Sequence, residues 1–346
     1  MSKKFRIGIL VGHQLSRTYG EGHVLCDLQD MLSDSVHFDL VGGGAIDDNI
    51  AKKFKNYNYF GIRPLGHPLL NALMWPLKFL NCTTYVLRNK PDALFNIGSP
   101  GVLGLIAAIN GRILGIPVAV RTPGNTMGMY RHQKRLLRRL KAIVTQRYFC
   151  KVSLMLSRLV LTLGEGLKNN LVLEGIPSGK IRTIPQPIRV SRFNAGVPRD
   201  QARSELDLPK DIQIALFVGR LEAEKGTGLL VDIAQEMSKA DGKTMFVVVG
   251  AGSLEPLLQA ESNVRLIGFV PHNDILKYYN AADVLISTSQ SEGIPNVMLE
   301  AMAAGIPILS TPSSDEVSRM VSNICFSKDD FKKRLLKKEF KADALP

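Results

Sequence analysis

Short apolar runs rich in β-branched residues recur along this chain. Most are followed by longer stretches in which apolar residues return every three or four positions. Residues 5–12, 36–41, 92–97, 118–120, 159–163 and 181–185 read as buried strands, with residues 57–62 as a further one. Residues 24–32, 100–114 and 165–173 carry helical spacing between them. The second half repeats the scheme, with strands over 212–218, 245–249, 283–287 and 306–309 and a helix over 296–304. Such alternation predicts parallel sheets covered by helices. Residues 186–199 follow Pro185, contain Pro187 and Pro198, and read as a linker. The expected organisation is an N-terminal Rossmann-like domain over 1–190, a second over 191–327 and a basic tail over 328–346.

Two segments do not fit the simple alternation. Residues 65–87 are leucine-rich, contain Trp75 and Phe79, and are interrupted by Pro68 and Pro76. They read either as a kinked buried helix or as an apolar wall toward a lipid. Residues 131–151 hold eight Lys/Arg and no acid, while Leu136, Leu137, Leu140, Ile143 and Val144 recur at helical spacing. This basic amphipathic helix is open to three readings: a solvated face, a membrane-surface helix or a nucleic-acid contact. No nucleic-acid motif accompanies it, so nucleic acid is not an expected partner.

Charge sharpens the picture. The chain has 346 residues and a net charge of +13. Residues 1–190 carry 26 Lys+Arg against 10 Asp+Glu, and residues 191–346 carry 18 against 21. Between Asp48 and Glu165 the only acid is Asp92. The first half is therefore expected to meet something anionic. Cys26, Cys82, Cys150 and Cys325 are scattered, which points away from a disulfide framework or a zinc site and toward a reducing compartment. The opening MSKKFRIGILVG reads as a first strand, its apolar run being too short for a signal peptide. No apolar run is long enough to span a bilayer.

The richest stretch is ADVLISTSQSEGIPNVMLEAMAAGIPILST, residues 282–311. It reads as strand, polar loop, helix, strand, with Pro295 at the first helical position and Gly305 ending the helix. Glu292 lies in the loop and Glu300 on the helix. In parallel sheets, ligands sit beyond the carboxyl ends of the strands beside helix N-termini, whose free amides attract anions. A helix end flanked by two acids suits a ligand with both phosphate and hydroxyl groups. Taken alone, the two acids read equally well as surface carboxylates.

E-x7-E followed by A-x-A-x-G-x-P resembles the signature of the retaining group 1 glycosyltransferases of the GT-B fold. FVGRLEAEKG (217–226) resembles their phosphate-binding loop, and VVVGAG (247–252) and NVRLIGFVP (263–271) match their next two strands. The resemblance is strong over residues 159–311. It implies two Rossmann-like parallel-sheet domains facing a central cleft. It also implies a nucleoside-diphosphate sugar as co-substrate, with no metal and no further cofactor. Arg220 and Lys225 would clamp the diphosphate, Glu292 would hold the donor sugar, and Glu300 would take the ribose hydroxyls. Gly293, Ile294, Pro295, Asn296 and Val297 would present amides to the phosphates, and the loop at Gly268 and Phe269 would meet the base. Gly12, at the tip of the first strand, would let a phosphate approach the backbone. His23, Arg121 and Asn125 are candidate contacts to the acceptor, though many members carry a histidine in the loop where this chain has only Arg121 and Asn125.

The expected activity is transfer of a sugar, with retention, to a lipid-linked or membrane-associated acceptor in polysaccharide, lipid-linked oligosaccharide or glycolipid synthesis. The expected location is cytoplasmic, on the inner face of a membrane with anionic lipid as partner. The competing readings are a non-catalytic nucleotide-sugar-binding subunit and a nucleotide-sugar epimerase.

Overall fold

A computed structural model describes residues 4–12, 14–15, 20–42, 45–46, 50, 52–54, 57–59, 74–124, 126–127, 136–184, 188, 190–193, 197–240, 243–271, 274–290 and 293–345. The chain divides into two compact units, Met1–Pro187 and Ile188–Pro346.

The strands of the first unit are β1 (Phe5–Val11), β2 (Gln14–Leu15), β3 (Val36–Gly42), β4 (Ala45–Ile46), β5 (Tyr57–Tyr59), β6 (Ala93–Asn96), β7 (Val118–Thr122), β8 (Leu159–Thr162) and β9 (Ile181–Thr183). Seven of them form one parallel sheet in the order β5-β3-β1-β6-β7-β8-β9, and β2 pairs with β4 apart from it. Helix Met74–Asn89 carries Pro76 in its first turn, where an amide has no intrahelical acceptor to lose, so no kink is needed. Residues 65–73 lie outside the described residues.

The basic segment is helical from Leu136 to Leu156, with one wide turn over Ile143–Tyr148. There Phe149 N–H donates to the Val144 carbonyl, five residues back. One extra residue per turn rotates everything that follows, and such turns are frequent at functional sites.

The second unit holds β10 (Gln213–Val218), β11 (Thr244–Val249), β12 (Val264–Gly268), β13 (Val284–Ser287) and β14 (Ile308–Ser310), parallel in the order β12-β11-β10-β13-β14. Both faces are covered. Leu216, Val247, Leu285 and Ile308 pack into one core, while their neighbours Phe217, Val248, Ile286 and Leu309 pack into another. That is the period-two alternation of strands buried on both sides.

Two expectations change here. Part of the proline-rich linker is core of the second unit: Val190–Phe193 is a helical turn, and Phe193 stacks edge-on against Tyr279 with ring centroids 6.0 Å apart. The basic tail is likewise built in. Helix Lys328–Lys337 is closed at its start by a reciprocal Ser327–Asp330 cap and buries Phe331 and Leu335 in the core. Phe340 packs against the same core. The apolar face of this segment is thus occupied inside the fold, where burial removes it from water.

Candidate functional site

In the second sheet the strand order reverses between β10 and β13. A crevice forms at such a point because successive loops leave to opposite sides. The sequence places its richest chemistry on the two loops that flank it.

The loop after β10 is fixed from both sides. Toward β11, Leu221 N–H donates to the Ala251 carbonyl at 3.0 Å and Leu254 N–H donates to the Leu221 carbonyl at 3.0 Å. Gly250, at φ 137°, passes so close that a β-carbon there would sit 1.9 Å from the Gly219 carbonyl oxygen. Glu222 accepts from Ser253 N–H at 3.0 Å and Ser253 Oγ at 2.6 Å. Those hydrogen bonds hold its carboxyl below the usual range. Toward β13, Thr288 Oγ donates to the Lys225 carbonyl at 3.0 Å and Gln290 N–H to the Glu224 carbonyl at 3.1 Å. Gly226, at φ 70°, ends this loop against the Thr288 backbone.

Arg220 and Lys225 are therefore carried on a rigid loop. Arg220 is exposed and ion-pairs with Glu224, itself exposed. Such a pair is worth only about 0–1 kcal/mol, so an incoming diphosphate can take the guanidinium from it. Lys225 is half-buried.

On the other side of the crevice stands helix Asn296–Ala303. Pro295 is the residue before the helix, extended at φ −67° and ψ 131°, and Asn296 is the first helical residue. This corrects the expected helix start by one position. The physical consequence is small, since Asn296 and Val297 still lie where first-turn amides have no intrahelical acceptor. Ser314 Oγ donates to the Gly293 carbonyl at 3.0 Å and anchors the approach to this turn.

Glu300 lies one turn into the helix and is 6% exposed. Tyr279 Oη donates to its Oε2 at 2.8 Å. Tyr279 is fully buried, and burial together with the Glu300 charge pushes its phenol well above the ordinary value. The phenol stays protonated and orients the carboxylate. Sequence reasoning names Glu300 as a candidate but not Tyr279, and no spacing rule links the two, since they come from different helices. Glu292, the other acid of the signature, lies outside the described residues.

Gly268 closes β12 at φ 78°, and its carbonyl accepts from Gly250 N–H at 2.8 Å. Phe269, next in the chain, is 63% exposed at the same edge of the sheet. Arg220, Lys225, Gly268, Phe269, Gly293 and Asn296 thus all follow the carboxyl ends of the parallel strands.

In the first unit, Gly12 follows β1 at the corresponding edge. Arg121, near the end of β7, is 8% exposed and donates from Nη1 to the Ile97 carbonyl at 3.3 Å. The His23 side chain and Asn125 lie outside the described residues.

Residues 212–338 match the family model described as glycosyl transferases group 1. The chain is 29% identical over 171 residues to the amylovoran biosynthesis glycosyltransferase AmsK of Erwinia amylovora, covering 46% of this chain and 40% of AmsK. It is 32% identical over 129 residues to the putative teichuronic acid biosynthesis glycosyltransferase TuaC of Bacillus subtilis (strain 168), covering 37% of this chain and 32% of TuaC. The matched stretches therefore span well under half of these curated relatives. The crystal structure of Anabaena Alr3699/HepE in complex with UDP and glucose superposes with a TM-score of 0.73 at 15% identity, over 96% of this chain and 89% of that one. That likeness shows the GT-B fold, and residues 212–338 are similar to the group 1 glycosyl transferases.

Proposed function

We propose that the protein is a glycosyltransferase that moves a sugar from a nucleoside diphosphate to an acceptor, with retention of anomeric configuration. One observation carries this reading. The loop bearing Arg220 and Lys225 is locked backbone-to-backbone between the ends of β11 and β13, beside the start of the helix that holds Glu300. Donors fixed before the reaction stabilise developing charge without reorganising, and this is usually the largest catalytic contribution. Here the charge would grow on the leaving diphosphate. Arg220 meets it as a planar fork and Lys225 as a point charge. The first amides of helix Asn296–Ala303 add partial positive charge. Glu300, aimed by Tyr279, receives ribose hydroxyls, and Glu292 holds the donor sugar. The UDP and glucose bound to the similar HepE structure support the class of ligand.

The acceptor in this reading is lipid-linked or membrane-associated, and the first unit faces the membrane. Support comes from the helical segment Leu136–Leu156. Leu136, Leu140, Val144, Tyr148, Val152 and Met155 are all exposed and recur at helical spacing, with exposed Arg139 and Lys141 beside them. An apolar stripe flanked by bases suits the surface of an anionic bilayer. Among the described residues no helix is long and apolar enough to cross one.

Donor turnover in Lys225→Ala and Glu300→Ala tests the transfer reading. Both variants should lose most activity, and unchanged turnover in both would refute the assignment. Co-sedimentation with anionic vesicles, with and without Leu140→Glu and Tyr148→Glu, tests the membrane reading. Binding that is equal in all cases, or absent from the parent at low salt, would remove it.

A further inference from the structure

The loops that follow three neighbouring strands of the second sheet are tied to one another by hydroxyl groups. Thr288 Oγ, after β13, donates to the Lys225 carbonyl of the β10 loop at 3.0 Å. Thr311 Oγ, after β14, donates to the Ser289 carbonyl at 2.6 Å. Ser314 Oγ donates to the Gly293 carbonyl at 3.0 Å. The β14 loop thus pins the chain at residues 289 and 293, on either side of Glu292 in sequence.

These pins stand on a firm base. Thr311 N–H donates to the Ser287 carbonyl at 3.0 Å, just beyond the paired residues Ser287 and Ser310. Ser314 caps helix Asp315–Met320 and accepts from Val317 N–H at 3.1 Å, and Val317 is fully buried. On the far side of β14 the Asn323 carbonyl accepts from Ser310 N–H at 3.2 Å, and Asn323 Nδ2 donates to the Ile308 carbonyl at 3.1 Å.

A trans peptide holds its carbonyl and its N–H on opposite sides of one plane. In the unit joining Ser289 to Gln290, the carbonyl takes the Thr311 hydroxyl while Gln290 N–H donates to the Glu224 carbonyl at 3.1 Å. One peptide plane therefore reaches from the β14 loop to the β10 loop, next to Lys225. In the unit joining Gly293 to Ile294, the carbonyl takes the Ser314 hydroxyl, so Ile294 N–H is turned away from Ser314. A hydroxyl has one hydrogen, and both are engaged by these carbonyls. Thr311 and Ser314 have none left to donate to a phosphate and reach it only through the peptides they hold.

We infer that Thr311 and Ser314 are positioning residues for the transfer step. Thr311 sets the Ser289–Gln290 peptide and with it the Lys225 loop, and Ser314 sets the turn that leads into the Glu300 helix. The inference rests on the transferase reading and adds the residues that keep its cation and its helix amides in place before charge grows on the diphosphate. With either pin loosened, those donors must reorder as the charge develops, which slows the step more than it weakens donor binding.

The test follows release of nucleoside diphosphate by the full-length protein, using whichever of a panel of UDP-, GDP- and ADP-sugars the parent turns over fastest. Thr311→Val and Ser314→Ala should each lower kcat about three- to tenfold while KM changes less than about twofold. Thr311→Ser and Ser314→Thr keep the hydroxyl and should keep the parental kcat. Ser313→Ala is the control. The Ser313 hydroxyl is buried on the same loop and has no hydrogen-bond partner among the described residues, so its loss should leave kcat unchanged. Hydrogen exchange in the ligand-free protein gives a readout independent of the donor. The Gln290 amide should exchange about fivefold faster or more in Thr311→Val and at the parental rate in Thr311→Ser. Unchanged kcat in Thr311→Val and Ser314→Ala, a loss that Thr311→Ser also shows or that Ser313→Ala reproduces, or unaltered Gln290 exchange in Thr311→Val would overturn the inference. Turnover that the parent shows and both variants keep in full defeats the positioning alone. No turnover of any donor by the parent defeats the transferase reading, and with it the step that these residues serve.

Discussion

A β-carbon added at Gly226 would lie 1.8 Å from the carbonyl oxygen of Thr288. The two residues close the β10 and β13 loops on each other, and the approach is open only to glycine, which also accepts φ 70° without strain. Gly226→Ala is expected to lower stability by more than the ~1 kcal/mol that a forced left-handed conformation costs by itself, because the Thr288 backbone must move. Donor affinity should fall with it, since Lys225 is the preceding residue. Denaturant titration together with nucleotide titration checks both effects.

Tyr279 and Glu300 form a buried pair between helices Ile275–Ala281 and Asn296–Ala303. Tyr279→Phe removes one hydrogen bond to a buried carboxylate, at a cost of ~1–3 kcal/mol. The pair also sets an alkaline limit. Because the folded phenol titrates above its ordinary value of 10.0, its contribution is complete below that pH. It is lost as pH rises beyond it, when the unfolded chain ionises first. The parent should therefore lose more stability than Tyr279→Phe between pH 9 and the alkaline limit of a thermal melt.

In the proposed reading, Glu224 would compete with a bound phosphate for Arg220, with which it ion-pairs. Removing its charge in Glu224→Gln should tighten nucleotide binding by up to about fivefold, the worth of an exposed ion pair. Isothermal titration at low ionic strength is the natural measurement, and the gain should shrink as salt is added.

Arg203 and Asp283 hold the start of the second unit together away from the site. Arg203 is fully buried, donates from Nε to the Ala281 carbonyl at 3.0 Å and pairs through Nη2 with Asp283 at 2.7 Å. Asp283 also accepts from Ile214 N–H at 2.7 Å. Breaking one partner of a buried pair typically costs ~3–5 kcal/mol. Arg203→Met should show a loss near the lower figure, because Arg199 still reaches Asp283, while nucleotide affinity measured below the melting transition stays close to that of the parent.

Much of this architecture was written in local pattern. The apolar runs marked the strands, and Gly305 after the 296–304 periodicity marked a helix end that the structure places at φ 73°. Arg220, Lys225 and Glu300 could be named as candidates because the motifs that carry the family resemblance run through them. What lay beyond local pattern was contact between distant segments. Tyr279 reaches Glu300 from another helix, and Gly226 needs to be glycine only because Thr288, on another loop, runs beside it. The packing of the C-terminal segment 328–346 lay beyond local pattern for the same reason. Its Phe331 and Leu335 face looks unpartnered in one dimension, and only the fold supplies the helix Thr227–Ala240 and the core that cover it.

The central claim is that the second unit grips a nucleoside diphosphate through the β10 loop and the Glu300 helix. A thermal-shift panel of UDP-, GDP- and ADP-sugars on the parent, Lys225→Ala and Glu300→Gln tests it most directly, since a ligand that binds the folded state raises the melting point by mass action. The account predicts that one nucleotide class raises the parent's midpoint and that both variants lose most of that rise. No rise with any nucleotide, or a rise that both variants keep in full, would contradict it.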